Sequence, residues 1–282
     1  MNYNYSLKSI FKRFKVKISI TFLLLVFENI SKILQPLVLG IAINDLINNS
    51  NKGLLWFCGL YLLSFTIGVI RRYYDTRAYT HIYTTVSSEI VEIQNDKNIS
   101  TSSISARSGL IKELVDFFEY DIPQAFASAI SVVGALIMIA LFSWWIFGAA
   151  LLTIIIIILI YRFSRDTIYK YNIGINNELE HRVQVLERKN QSNILQHFRN
   201  ISNWLVKLSD LETLNFGLIE ITLFILAIFT LYTSATELNA DTGSIFSTIM
   251  YILEFSNGIY MLPILFQQLI RLKEISTRLE SI

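Results

Sequence analysis

The sequence predicts an all-α membrane protein of six transmembrane helices, with two long cytoplasmic helical hairpins. Three observations carry that reading. Hydrophobic residues make up 53% of the 282 residues and charged ones only 16%, against about 25% charged in an ordinary soluble domain. The apolar residues fall in continuous runs, without the alternation of barrel strands, and only three prolines occur to interrupt a helix. Lys and Arg gather in alternate connections between the runs, which is the pattern of loops retained on the cytoplasmic side.

A spanning helix needs about 20 mainly apolar residues, and six runs qualify: 18–41, 54–70, 125–142, 144–161, 214–232 and 244–266. The first follows a basic stretch (Lys8, Lys12, Arg13, Lys15, Lys17) and runs on too far for a cleaved signal segment. That stretch sets the N-terminus in the cytoplasm. The connections 48–53, 143 and 233–242 contain one base, Lys52, and are then external. The connections 71–112 and 162–207 are rich in Lys and Arg and face the cytoplasm, as does the tail with Arg271, Lys273 and Arg278. Both termini are thus cytoplasmic. The two inner connections keep helical character, and twenty extra residues carry a helix ~30 Å past the membrane. Residues 1–282 are read as one domain. The lone cysteine, Cys58, provides no disulfide framework.

Ionisable groups inside a bilayer cost roughly 2.5–3.5 kcal/mol each and mark function by default. Glu28 and Lys32 in the first span, Glu220 in the fifth and Glu254 in the sixth are the candidates, with Asn257 on nearly the same face as Glu254. Glu28 lies ~15 Å deep, and Glu220 and Glu254 fall near the middle of their spans. Glu28 and Lys32, four residues apart, form an expected intrahelical pair. Glu220 and Glu254 either face a cavity or form protonated carboxyl bridges between helices. Trp56, Trp144, Trp145 and Trp204 read as interfacial anchors, as does Arg71-Arg72-Tyr73-Tyr74, which is not read as a nucleic-acid patch. Pro36 and Pro263 are expected to kink their helices. His81, His181 and His197 are scattered over the polar connections as solvated residues, with no metal-ligand spacing and no catalytic triad. No Gly-x-x-x-x-Gly-Lys-(Ser/Thr) occurs, so these residues cannot cradle a nucleotide in a P-loop, and no enzyme activity is expected of them.

The run Gln35-Pro36-Leu37-Val38-Leu39-Gly40-Ile41-Ala42-Ile43-Asn44-Asp45-Leu46 resembles the first-helix pattern of the transmembrane domain of ABC exporters, a proline followed by Ile-(Asp/Asn)-Asp. Ser108-Gly109-Leu110 with Asp121, Thr242-Gly243-Ser244 with Leu262-Pro263-Ile264, and Lys273-Glu274-Ile275-Ser276-Thr277-Arg278-Leu279 are similar to further elements of that family, in its order. The resemblance implies an ABC-exporter-like fold lacking a fused nucleotide-binding domain. It further implies a homo- or heterodimer in membrane lipid, in the plasma (bacterial inner) membrane, with ATP and magnesium bound by a separately encoded ATPase. Coupling to that ATPase falls on Asn98, Ile99, Ser100, Thr101 and Arg107, followed by Asp121. The second coupling stretch, Glu187 to Phe198, departs from the family at Gln191 and Gln196, where glycine and lysine are usual. Two functions follow: a membrane-spanning subunit of an ABC-type exporter that forms the substrate pathway, its substrate not specified by the sequence, or an ATPase-free relative serving as a regulatory or scaffolding subunit or an ion-coupled carrier.

Overall fold

The computed structural model describes residues 7–96, 109, 112, 113, 115–187, 190–237 and 241–280. Its helices are α1 (Leu7–Arg13), α2 (Lys15–Ile47), α3 (Lys52–Asp96), α4 (Ile122–Phe142), α5 (Trp144–Glu187), α6 (Gln191–Glu237) and α7 (Thr242–Glu280). Among the described residues, five are long and apolar enough to cross a membrane: α2, α3 over Lys52–Ile93, α4 with the turn before it, α5 and α6. The expected sixth, α7, is a 39-residue helix but is not among those five. Residues 262–266 of its expected span lie outside those whose side chains are described, and the described part up to Met261 alone is not among the five. The chain forms two compact units, residues 1–143 with 233–282, and residues 144–232.

In the first unit α2 packs most extensively on α3, and α7 packs on both α2 and α4. One stripe of α3 explains the first pairing. Ser64, Gly68, Asp75, Tyr79, Ile82, Val86 and Ile90 are all buried, at helical spacing. Its chemistry inverts along the helix. Up to Asp75 the buried face is small or polar, while Leu55, Leu62, Phe65 and Ile70 point outward. Beyond it the buried face is apolar and Arg77, His81, Thr84 and Glu92 are exposed. The first half is made for hydrocarbon and the second for water. The apolar half joins Ile10, Phe14, Ile18 and Val115 in a core cluster, and Arg13 clamps Glu89 with two bonds of 2.7 and 2.6 Å.

At the other end, the sequence between Gly40 and Ser50 builds the junction. Asn49 takes a left-handed conformation (φ 57°), and Ser50 N–H donates to Asp45 O while Asn49 N–H donates to Leu46 O, the two bonds of a Schellman termination. Asp45 then accepts from Gly53 N–H at 2.7 Å, and Asn44 accepts from Gly243 N–H at 2.7 Å. The neighbouring Asn44 and Asp45 thereby hold the starts of α7 and α3. Gly40 and Gly243 face each other so closely that a Cβ on either would collide with the opposite backbone. α2 continues through Pro36, whose carbonyl accepts from Ser247 Oγ at 2.8 Å, and the Ile33 carbonyl accepts from Tyr251 Oη at 2.8 Å. The proline deprives the Lys32 carbonyl of its regular donor, and the α7 hydroxyls add a second bond to the carbonyls of Ile33 and Pro36 beside it.

Before α4 the backbone opens into a wide turn, Phe117–Asp121, closed by Ile122 N–H donating to Phe117 O. Pro123 follows within the first turn of α4. Having no N–H and a ring that crowds the preceding carbonyl, it favours such a widening. In the second unit, Ser164 Oγ donates to Asn215 at 2.7 Å, and Trp204 lies on Tyr171 with ring centroids 6.0 Å apart. Trp204 is therefore half-buried between α5 and α6, unlike the exposed Trp56, Trp144 and Trp145. His197, expected to be solvated, is buried and 3.1 Å from Glu178. It sits on the face of α6 that packs on α5, where an apolar ring flank fills the seam.

Asp241 caps α7 by accepting from Ser244 N–H at 2.7 Å. Hydrogen bonds from the Ser244 side chain, then Asn44, hold its carboxyl below the usual aspartate range. The folded state thus prefers the charged form, and the cap's contribution is complete above that range and fades as pH falls through the lowered value. Asp241→Ala is expected to cost about 1 kcal/mol at neutral pH. The difference from wild type should shrink below about pH 4, as read by thermal unfolding in detergent across pH.

Candidate functional site

The first unit encloses a chain of four ionised groups. Glu28, on α2, is only 2% exposed. Its Oε1 accepts from Lys32 Nζ at 2.7 Å and its Oε2 from Arg71 Nε at 2.5 Å. Arg71 uses Nη1 to reach Asp75 Oδ2 at 2.7 Å. Two acids and two bases are thereby closed into a neutral network. The local reason is helical spacing: Glu28 with Lys32, and Arg71 with Asp75, are each four residues apart. Gly68, one turn before Arg71, clears the space, since a Cβ there would come within 3.2 Å of Glu28 Oε1. Burying an ion is tolerable only when it is paired and hydrogen-bonded, and both oxygens of Glu28 are used.

Two cavities of about 490 Å³ each flank this network. Both are lined by Glu28, Asn29, Lys32 and Arg72. One runs along α2, α3, α4 and α7 past Ile33, Pro36, Leu39, Phe57, Tyr61, Ser131 and Tyr251 to Glu254. The other runs past Leu25, Asp75, Glu119, Tyr120 and Gln124. Glu254 accepts from Ser131 Oγ at 3.2 Å.

Of the residues expected from sequence, Glu28, Lys32 and Glu254 line one cavity. The Glu28–Lys32 pair forms as expected and acquires a third member in Arg71. Glu220 is exposed on α6 in the second unit, and Asn257 is exposed on α7, outside the lining of either cavity. Asp121 is half-buried in the wide turn. Asn98, Ile99, Ser100, Thr101 and Arg107 lie outside the described residues. Arg71 and Arg72 were missed as site residues because they follow the apolar run and read as anchors, and Asp75 because it follows them in a polar segment. The signals that could have found them are the Arg71–Asp75 spacing and Gly68 one turn earlier. Among the described residues no group of three or more His, Cys, Asp or Glu is placed to hold a metal.

Long apolar helices whose inward face carries a neutralised charge network define a polytopic integral membrane protein. Residues 7–243 match the family model of the ABC transporter transmembrane region, and the chain belongs to that family as a membrane subunit of an ABC transporter. No curated protein matches it.

Removing Glu28 leaves Arg71 buried without its main counter-charge. Glu28→Gln is therefore expected to destabilise the protein by about 3 kcal/mol. Lys32→Met, at a half-exposed ammonium, should cost less than about 1 kcal/mol. Thermal unfolding of both variants in one detergent checks the order.

Proposed function

We propose that this chain forms the substrate pathway of an ABC exporter and is powered by a separately encoded ATPase. The observation that carries the proposal is the cavity running from Glu28 and Lys32 to Glu254, most of whose lining falls within residues 7–243, the stretch that matches the family. The sequence contains no P-loop, so nucleotide binding falls to residues outside it, and we assign it to a partner. Two copies, or one copy with a related partner, would complete the pathway. The basic connections support six spans with both termini in the cytoplasm, two helical hairpins projecting inward, and residence in the plasma (bacterial inner) membrane. The tip at Asn98–Arg107 would receive the ATPase. ATP-driven rocking of the helices would then move substrate outward past Glu28, Lys32 and Glu254.

A second reading is favoured by one observation. Gln191 and Gln196 stand where the family has glycine and lysine, in the second coupling stretch. A chain on the same scaffold that has lost the motor contact would serve as a regulatory or scaffolding subunit, or as a carrier driven by an ion gradient.

The two readings separate in a pull-down from native membranes in mild detergent. A P-loop ATPase in fixed stoichiometry, with ATP hydrolysis lost when residues 98–107 are replaced by a Gly/Ser linker, is the expected result. A clean preparation without ATPase would overturn the transporter-subunit reading in favour of the second.

A further inference from the structure

Resting on the pathway reading, we infer that the cavity between α2, α3, α4 and α7 takes a net-neutral, dipolar amphiphile, with an ammonium and an anionic group on an apolar body. Charge accounting within the first unit leads there. Glu28 is satisfied by Lys32 and Arg71, and Arg71 by Asp75. Two charged groups of the lining are left over. Arg72 has no carboxylate partner among the described residues. Glu254 has a hydroxyl, Ser131, and no base among the described residues. The leftover charges are opposite, and they line one cavity without pairing to each other.

A charge in a membrane region without a counter-charge is costly, so each leftover group favours an occupant that supplies one. A purely cationic occupant satisfies Glu254 and meets Arg72 and Lys32 as like charges. A purely anionic one has the converse difficulty at Glu254. A dipolar occupant satisfies both, and the guanidinium at Arg72 suits a phosphate or carboxylate in particular. The rest of the wall is largely apolar and aromatic, including Leu39, Phe57, Phe65 and Met250. It matches an acyl chain or apolar side chains. Phe57 and Tyr61 add ring faces that attract an ammonium.

A zwitterionic lipid headgroup and a free amphipathic zwitterion share this chemistry, and four probes separate them. Full-length protein in dodecyl maltoside is titrated by native mass spectrometry. Three of the probes share one chain length: lysophosphatidylethanolamine, lysophosphatidylglycerol (anion only) and an alkylamine (cation only). The fourth is an apolar tripeptide with free termini. Lysophosphatidylethanolamine is expected to bind about tenfold tighter than either single-charge probe, a difference of about 1.4 kcal/mol. Glu254→Gln should reduce it to the level of lysophosphatidylglycerol, and Arg72→Gln to that of the alkylamine. Glu254→Asp and Arg72→Lys should keep part of the preference, which separates lost charge from lost fold. Tripeptide binding with the same dependence supports the dipolar class and assigns a free zwitterion. Its absence beside lysophosphatidylethanolamine binding supports the class and assigns a lipid headgroup. Equal binding of the three chain-matched probes, or preference unchanged in both Gln variants, overturns the inference. If the ATPase still copurifies in that case, the pathway reading stands without it.

Discussion

Glu28 is the point on which the first unit turns. A carboxylate buried to this degree would be intolerable alone, and it is tolerated because α2 supplies Lys32 and α3 supplies Arg71. Arg71 in turn is balanced by Asp75. The network therefore fixes the register of α2 against α3, because sliding either helix by one turn would strand a buried charge. In lipid there is no hydrophobic drive to bring two apolar helices together, so packing and polar bonds set their pairing. Here those bonds are ionic, at the level where the buried face of α3 changes from small and polar to apolar.

The same logic runs through the junction with α7. Gly40 and Gly243 allow the backbones to touch, and Asn44, Ser247 and Tyr251 spend their hydrogen bonds on backbone groups of the facing helix. Close approach and polar satisfaction go together, since a helix seam without water needs a partner for each buried donor and acceptor. The space beside the network forms the two cavities, one reaching α7 and the other the wide turn before α4. Both are lined by Glu28, Asn29, Lys32 and Arg72, so any molecule moving between them would pass these residues.

Much of this was legible in the residues, for reasons that differ by element. Long apolar runs reveal helices directly, and α2 to α6 follow from them. The motif around Asn44-Asp45 was recognised as a family pattern, but its work as a double cap needed the structure, because Gly243 is 199 residues away from Asn44. Glu28–Lys32 was legible through its spacing. Arg71 was not, because a basic residue at the end of an apolar run has the same sequence signature whether it anchors at the interface or turns inward. Gly68 distinguishes the two only once α2 is placed beside it. His197 shows the converse: a polar residue in a polar segment, buried because its face of α6 meets α5. The apolar run in α7 was legible as a span by length, and its last residues, 262–266, lie outside those whose side chains are described.

The most direct test of the central claim is a double-mutant cycle between Glu28 and Arg71, using Glu28→Gln, Arg71→Gln and the double variant, with unfolding free energies measured in one detergent. If the pair holds α2 to α3, the double variant should be more stable than the two single losses summed, by about 2 kcal/mol of coupling. Additive losses would contradict the account, since they would mean that the two helices are held in register without this ion pair.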